Sequence, residues 1–191
     1  MWSRSVRVTH LRSTTSSGPF LAFVCCYMDR TPSGDSIQAF AFRIATALRE
    51  GHGVSDASFD CLLPPNLGAV SARFWSPLAV ISRAAQWLTE LDVPSVADIG
   101  AGPGKFCVAA ALQTRCNFIG LEHRPRLAHA ARELAKLFNV EQRVQFVTAA
   151  FGQVVTPPAA CYYLFNPFSE NLSDSHECLD LDVELNYFRY L

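Results

Sequence analysis

The chain has little charge and no basic tract. Charged residues make up 17% of its 191 residues, and the formal net charge is −1. Such a balance gives no whole-molecule attraction to phosphate backbones, so composition does not argue for a nucleic-acid partner. Hydrophobic residues make up 50% of the chain, which predicts a folded globular body.

The cysteines lack the spacing of a metal or redox site. None of the seven forms a Cys-x-x-Cys pair, so no metal site is predicted. Several lie within apolar runs, where a thiol usually packs as a small hydrophobe. We therefore expect reduced, structural cysteines and a cytoplasmic location. No body segment approaches the run of about 18 apolar residues that a membrane span needs, so no membrane association is predicted.

The first 28 residues have no acidic side chain and end in the apolar run 19–28. This composition fits a secretory signal or an organelle transit peptide, but no small-residue cleavage site follows Met28. Two other interpretations of this segment stay open, namely a disordered lead-in and a start site annotated upstream of the true start at Met28. We expect residues 1–35 to form a poorly ordered leader.

Helical periodicity governs the next part of the chain. Apolar residues recur at helical spacing over 36–50 and again over 78–91, which predicts two amphipathic helices. Residues 54–77 carry three prolines and are expected to be irregular. Together these predictions define an N-terminal helical segment over 36–92.

After Pro94, short apolar runs alternate with helical stretches. Strands are predicted at 95–99, 117–121, 144–148 and 161–165, with helices at 104–114 and 125–138. This alternation predicts an α/β, Rossmann-like, mostly parallel sheet with helices on both faces, occupying residues 93–191. The tail 177–191 is expected to start another helix.

A glycine-rich loop separates the first predicted strand from its helix. Gly100, Gly102 and Gly104 alternate with Ala101 and Pro103. Glycines let the chain turn sharply and let a ligand approach closely, while the helix start offers unpaired N–H groups. A dinucleotide fingerprint needs its third glycine one position later, where Lys105 stands.

Two carboxylates flank this loop. Asp98 stands two residues before the first glycine, where dehydrogenases usually keep an apolar residue. Glu122 ends the second strand, where a carboxylate can accept hydrogen bonds from both ribose hydroxyls. A solvated or strand-capping carboxylate is the alternative at each position.

The stretches 98–104 and 120–122 resemble the first two motifs of class I S-adenosylmethionine-dependent methyltransferases. The resemblance covers about residues 72–170 and implies S-adenosylmethionine as the cofactor. It implies that Asp98 positions the amino-acid end of the cofactor, that the backbone of 100–104 wraps the methionine portion, and that Glu122 binds the ribose.

Later motifs match this family less closely. Ala150 stands where the family often has an Asp that contacts adenine, and Phe151 is expected either to pack on the adenine or to join the core. Asn166-Pro167-Phe168 resembles the motif of methyltransferases that act on planar nitrogens, with one proline missing. The resemblance implies that Asn166 is a catalytic residue or borders the cofactor pocket.

Two other groups have open roles. The sequence Arg73-Phe74-Trp75 is interpreted either as a lid over the cofactor or as ordinary packing. His123, Arg124 and Arg126 are interpreted as a solvated helix start. The family sheet has seven strands, so the four predicted here imply that its C-terminal strands are missing. Either the chain is truncated, or the N-terminal helices and a homo-oligomeric partner take over their role.

The leading hypothesis is a methyltransferase with a small-molecule acceptor, and protein or RNA acceptors stay open. The alternatives are a non-catalytic S-adenosylmethionine-binding or interaction module, which Ala150 favours, and an NAD-dependent oxidoreductase, which the glycine spacing opposes.

Overall fold

Helices come first in the chain, and strands alternate with helices after them. The computed structural model describes residues 34–155 and 157–167. The helices are α1 (Gly34–Arg49), α2 (Asp56–Asp60), α3 (Pro65–Gly68), α4 (Ser71–Phe74), α5 (Leu78–Glu90), α6 (Lys105–Gln113) and α7 (Pro125–Leu137). The strands are β1 (Ser95–Ile99), β2 (Asn117–Glu122), β3 (Val144–Thr148) and β4 (Cys161–Leu164).

The four strands form one parallel sheet in the order β3-β2-β1-β4. This is the order of the first four strands of a doubly wound Rossmann sheet. In the register of this sheet, Asp98 lies between Gly120 of β2 and Tyr163 of β4. The predicted α/β Rossmann-like fold is therefore confirmed, with strand and helix bounds within one or two residues of those expected.

Helix α6 packs on the sheet and is buried on every side. Eight of its nine residues are buried, and the three alanines 109–111 have no exposed surface. A helix that is apolar all round lies inside a protein, and small side chains let its neighbours approach closely. Helices α1 and α5 both pack against α6.

Helices α6 and α7 lie on the same face of the sheet. The α6 residue Cys107 reaches Asp98 of β1, and the α7 residue Ala131 lies with Phe146 of β3 beside Gly104. On the other face, Val147, Tyr162 and Leu164 are exposed. Helices on that second face remain a prediction.

The prediction that residues 54–77 are irregular is wrong. Ser55 caps α2 by accepting the N–H of Ser58 at 3.1 Å, and Pro65 occupies the first turn of α3. Helices of four and five residues are too short to show an apolar period, and prolines start a helix as readily as they end one.

Several predictions fall outside the described residues. They concern almost all of the leader 1–35, the helix over 177–191 and the C-terminal strands. Helices α1–α5 and the sheet belong to one unit, Pro32–Leu191, so a domain boundary at 92/93 stays a prediction. None of the helices in the described ranges is long and apolar enough to cross a membrane.

Candidate cofactor site

The glycine loop lies where the topology of the sheet reverses. The chain leaves β1 toward β2 on one side, while β4 lies on the other side of β1. In open α/β sheets such a switch point forms a crevice outside the carboxyl ends of the strands, and ligands bind there. Residues 100–104 begin at this crevice, directly after Ile99.

The three glycines are required by backbone conformation and by close packing. Gly100, Gly102 and Gly104 have φ angles of +79°, +55° and +81°, which strain any residue with a Cβ. A Cβ on Gly100 would lie 2.8 Å from the Cβ of Pro167, and one on Gly104 would lie 2.6 Å from the Phe146 ring. The loop is therefore fixed in shape and packs against the segment that follows β4 and against Phe146 of β3.

The amide groups of the loop already have acceptors within the protein. Gly100 N and Ala101 N both donate to the carbonyl of Leu121, at 2.9 and 3.0 Å, and Gly104 N donates to Ala101 O at 2.9 Å. Gly102 N donates to Glu122 Oε2 at 2.9 Å, and Pro103 has no N–H. A ligand group on the loop itself therefore meets no free amide donor before the start of α6.

Glu122 supports the loop from the neighbouring strand. Its side chain is 3% exposed, and its second oxygen accepts the N–H of Arg124 at 2.9 Å. His123 Nδ1 lies 3.3 Å from that same oxygen. A carboxylate has about four acceptor positions, so Glu122 keeps capacity for hydroxyl donors after these bonds. At the start of α7, His123 and Arg126 are exposed, whereas Arg124 is half-buried.

Asp98 is a buried carboxylic acid on the α6 face of β1. It is 3% exposed and accepts a hydrogen bond from the Cys107 thiol, Sγ to Oδ2, at 3.4 Å. Burial raises the pKa of Asp98 to about 7, the thiol bond opposes this rise, and the charge of Glu122 adds to it. Burial beside Asp98 also raises the pKa of Cys107 well above its usual value, so the thiol keeps its proton.

Tyr163 completes a polar group that the sequence did not reveal. Its ring stacks on Phe106 with centroids 3.5 Å apart, and its hydroxyl lies 2.8 Å from Ser76 Oγ. Burial raises the pKa of Tyr163, the bond to Ser76 opposes the rise, and the charge of Asp98 adds to it. Tyr163 therefore joins β4 to the segment before α5. No sequence signal for this link exists, since it depends on the register of β4.

Lys105 is a second residue whose role the sequence did not reveal. It starts α6, is 2% exposed, and lies 2.7 Å from Asp56 Oδ1 and 2.8 Å from Asp60 Oδ1. Its ammonium also donates to Ser71 Oγ at 3.1 Å. The four-residue spacing of the two aspartates was the available signal, but it has meaning only once α2 is known to be helical.

The remaining predicted site residues lie at the ends of β3 and β4. Ala150 and Phe151 follow β3 in a turn whose Gly152 has φ +84°, and Phe151 is 39% exposed. Asn166 is exposed with φ +47°, a conformation that Asn tolerates better than most residues. Its neighbour Pro167 contacts Gly100, so the end of β4 lies beside the loop.

Trp75 packs directly on the glycine loop. A Cβ on Gly102 would lie 2.7 Å from Cζ3 of the indole, whose Nε1 donates to Leu67 O at 3.3 Å. The predicted contact between residues 73–75 and the cofactor remains a prediction. Within residues 34–155 and 157–167, no three His, Cys, Asp or Glu side chains are grouped as metal ligands.

No known family profile matches the sequence, and no curated protein matches it. Solved structures do match part of the chain. One is an RNA methyltransferase from Salinibacter ruber in complex with S-adenosyl-L-homocysteine, with 25% identity and a TM-score of 0.43, covering 47% of this chain and 58% of that one.

Two further matches are methyltransferases by name. An S-adenosylmethionine-dependent methyltransferase from Thiobacillus denitrificans, in complex with S-adenosyl-L-homocysteine, has 20% identity and a TM-score of 0.42, covering 55% of this chain and 44% of that one. Precorrin-6y C5,15-methyltransferase from Geobacter metallireducens has 22% identity and a TM-score of 0.39, covering 46% and 45%. The chain thus spans less than two thirds of the length of each of these three structures.

Proposed function

We propose that this chain is the cofactor-binding part of an S-adenosylmethionine-dependent methyltransferase. The observation that carries the proposal is the glycine loop at the sheet's switch point, held by Glu122 through the N–H of Gly102. When bound, the cofactor would supply a methyl group activated on a sulfonium. The residues of the chain would bind and orient it.

The hydrogen bonding of the loop supports this cofactor over a dinucleotide. In a dinucleotide site the pyrophosphate lies at the helix N-terminus, close to the backbone of the glycine loop, where free N–H groups favour it. Here the loop amides donate to Leu121, Ala101 and Glu122. The loop still offers carbonyl oxygens, which can accept hydrogen bonds from the ammonium of an amino-acid ligand. The NAD alternative is weakened for this physical reason as well as by glycine spacing.

Charge around the loop supports the same choice. Asp98 and Glu122 flank it, and the one lysine at its end is paired with Asp56 and Asp60. A pyrophosphate would be repelled by this acidic surrounding, whereas a ligand that carries a sulfonium and an ammonium would be attracted.

Each residue has a proposed part in binding. Asp98 would position the amino-acid end, the unused acceptor capacity of Glu122 would bind the ribose hydroxyls, and Ala150 with Phe151 would border the adenine. Asn166 would orient the methyl acceptor. Methyl transfer is an in-line displacement, so orientation supplies much of its acceleration and a strong base is not required.

A non-catalytic binding module is the second candidate, favoured by Ala150, which provides no carboxylate for the adenine. The small-molecule acceptor, the homo-oligomer and the cytoplasmic location belong to the proposal too. The free cysteines among the described residues, Cys61, Cys107, Cys116 and Cys161, support a reducing compartment.

Calorimetric titration of the full chain with S-adenosylmethionine, S-adenosylhomocysteine and NAD tests the proposed cofactor. We expect binding of the two sulfur ligands and none of NAD. Binding of NAD alone would overturn the proposal.

Transfer of a labelled methyl group into a cell extract, fractionated by size, then separates enzyme from binding module. We expect label in the small-molecule fraction from the unaltered chain and loss of that label in Asn166→Ala. Cofactor binding without any transfer would favour the module.

A further inference from the structure

A buried ammonium fixes the end of the glycine loop to the N-terminal helices. Lys105 directly follows Gly104, and its Nζ lies within 3.1 Å of oxygens from Asp56, Asp60 and Ser71. Asp56 Oδ1 and Ser71 Oγ accept hydrogen bonds from the ammonium, and Asp60 Oδ1 is paired with it by charge at 2.8 Å. Lys105 therefore acts within the protein instead of binding a ligand.

The partners of Lys105 come from two short helices. Asp56 and Asp60 lie on α2, and Ser71 begins α4. Asp56 Oδ1 also accepts the N–H of Leu78 at 2.9 Å, so it caps α5. Burying an ion pair costs free energy that apolar residues of similar size would avoid. Lys105 and its partners join the ends of α2, α4, α5 and α6. This arrangement indicates that Lys105 positions these helices relative to one another.

The position most directly controlled is that of Trp75. The backbone N–H of Trp75 donates to Ser71 O at 2.9 Å, so Trp75 is joined to the residue that Lys105 contacts. The indole lies against Gly102, and the next residue, Ser76, is bonded to Tyr163. The segment that carries the indole is thus fixed by Lys105 at one end and by β4 at the other.

We propose that Lys105 is a positioning residue that holds the indole of Trp75 over Gly102, and thereby sets how long a ligand stays on the glycine loop. The claim about residence time rests on the proposed cofactor, whereas the claim about the placement of Trp75 does not. Without the ammonium, Asp60, which is 11% exposed, would be left as an uncompensated buried charge. Helices α2 and α4 would then separate from α6 and release the indole.

Fluorescence tests the placement without any ligand. The chain has three tryptophans, so replacing Trp2 and Trp87 by Phe leaves Trp75 as the only indole. In this full-length background, we expect Lys105→Met to raise the iodide quenching constant about threefold and to shift emission to longer wavelength, as for a segment that opens locally. Lys136→Met, which removes an exposed lysine paired with Glu133 at 2.8 Å, is the matched control and should change neither signal.

A milder variant guards against general unfolding. Ser71→Ala removes the hydroxyl that joins α4 to Lys105 and leaves both carboxylate pairs in place. It should raise Trp75 quenching in the same direction, to a smaller extent. A second background, with Trp87 as the only indole, should show unchanged emission. The placement is overturned if Trp75 stays as protected in Lys105→Met and Ser71→Ala as in the parent chain.

Stopped-flow dissociation of S-adenosylmethionine tests the residence time. We expect dissociation about tenfold faster in Lys105→Met than in the parent, because affinity changes appear mostly in the dissociation rate. If Trp75 becomes exposed but the dissociation rate does not change, the residence-time half is wrong. If the parent chain binds no S-adenosylmethionine, the proposed cofactor fails, and the quenching result still decides the role of Lys105.

Discussion

The backbone N–H of Gly102 donates to the carboxylate of Glu122 at 2.9 Å, and this bond joins the loop after β1 to the end of β2. The other carboxylate oxygen accepts the N–H of Arg124 at 2.9 Å. One buried side chain therefore satisfies a backbone donor at the centre of the glycine loop and another at the start of α7. A residue expected to bind the cofactor also builds the site.

Removing this carboxylate should destabilise the fold as well as the cofactor complex. Glu122→Ala leaves two backbone N–H groups without their acceptor, and we expect a loss of about 2–4 kcal/mol in the free energy of unfolding. Glu122→Gln retains one acceptor oxygen and should lose about half as much. Urea denaturation followed by circular dichroism measures both.

Glu133→Ala is the control, because Glu133 lies on the exposed side of α7. It should leave the unfolding midpoint unchanged. Equal stability of Glu122→Ala and the parent chain would show that the two amides find other acceptors. If Glu122 binds the ribose as proposed, Glu122→Gln should also bind S-adenosylmethionine more weakly, which calorimetry on the same variant measures.

The contact between Gly102 and Trp75 can be separated from backbone strain by two glycine substitutions. Gly102→Ala introduces a Cβ at φ +55° that overlaps the indole, whereas Gly152→Ala introduces one at φ +84° with nothing within 4 Å. We expect Gly152→Ala to cost about 1–2 kcal/mol from strain alone. Gly102→Ala should cost a further 1–3 kcal/mol, roughly, from overpacking. Urea denaturation gives both values.

A double-mutant cycle identifies the indole as the source of the extra cost. Trp75→Ala removes the ring that the new Cβ would meet, so the double variant should be more stable than the two single losses predict. Additive losses would mean that the overlap is relieved by a shift of the loop, and that Trp75 does not constrain Gly102.

The sheet could be predicted from the sequence because its signals are local. Each strand is a short apolar run, and helices α1, α5 and α7 carry a hydrophobic period that can be detected in the sequence. The carboxyl ends of β1 and β2 then bring Asp98, the glycines and Glu122 together, because parallel strands end at the same edge.

The internal partners of the site could not be predicted in the same way. The bond from Gly102 to Glu122 depends on strand register and on three positive φ angles. The pairing of Lys105 with Asp56 depends on residues 49 positions apart. It also depends on short helices whose prolines were interpreted as breakers.

Thiol reactivity should follow burial. Cys61 is exposed, while Cys107 and Cys116 are buried, and burial raises the pKa of Cys107 well above its usual value. We expect a short iodoacetamide pulse at pH 8 to label Cys61 and to spare the other two, because the thiolate is the reacting form. Peptide mass spectrometry measures the labelling.

The same pulse in concentrated urea is the control and should label all three. Fast labelling of Cys107 in the folded chain would show that α6 opens beside Asp98. It would also remove the basis for the hydrogen bond between the thiol and that carboxylate.

The raised pKa of Asp98 predicts an unusual pH dependence. Burial raises this pKa from 3.8 to about 7, so the folded state binds the proton more tightly than the unfolded state. The contribution of Asp98 to the free energy of unfolding is therefore fully present below pH 4. It falls by up to about 4 kcal/mol as the pH rises toward 7. Asp98→Asn, which stays neutral, should match the parent at pH 4 and exceed its stability at pH 8.

Urea denaturation of both chains between pH 4 and 8 measures this difference, in which the other titrating groups cancel. Asp92→Asn, which makes the same carboxylate-to-amide change at an exposed position, is the matched control for the substitution itself. A difference in stability for Asp98→Asn that stays constant from pH 4 to 8 would mean that Asp98 is charged in the folded state throughout. If Asp98 positions the ammonium of the cofactor, the more stable Asp98→Asn variant should bind S-adenosylmethionine more weakly at pH 8. Stability and affinity would then change in opposite directions, as expected when a buried acid is kept for binding at a cost to the fold.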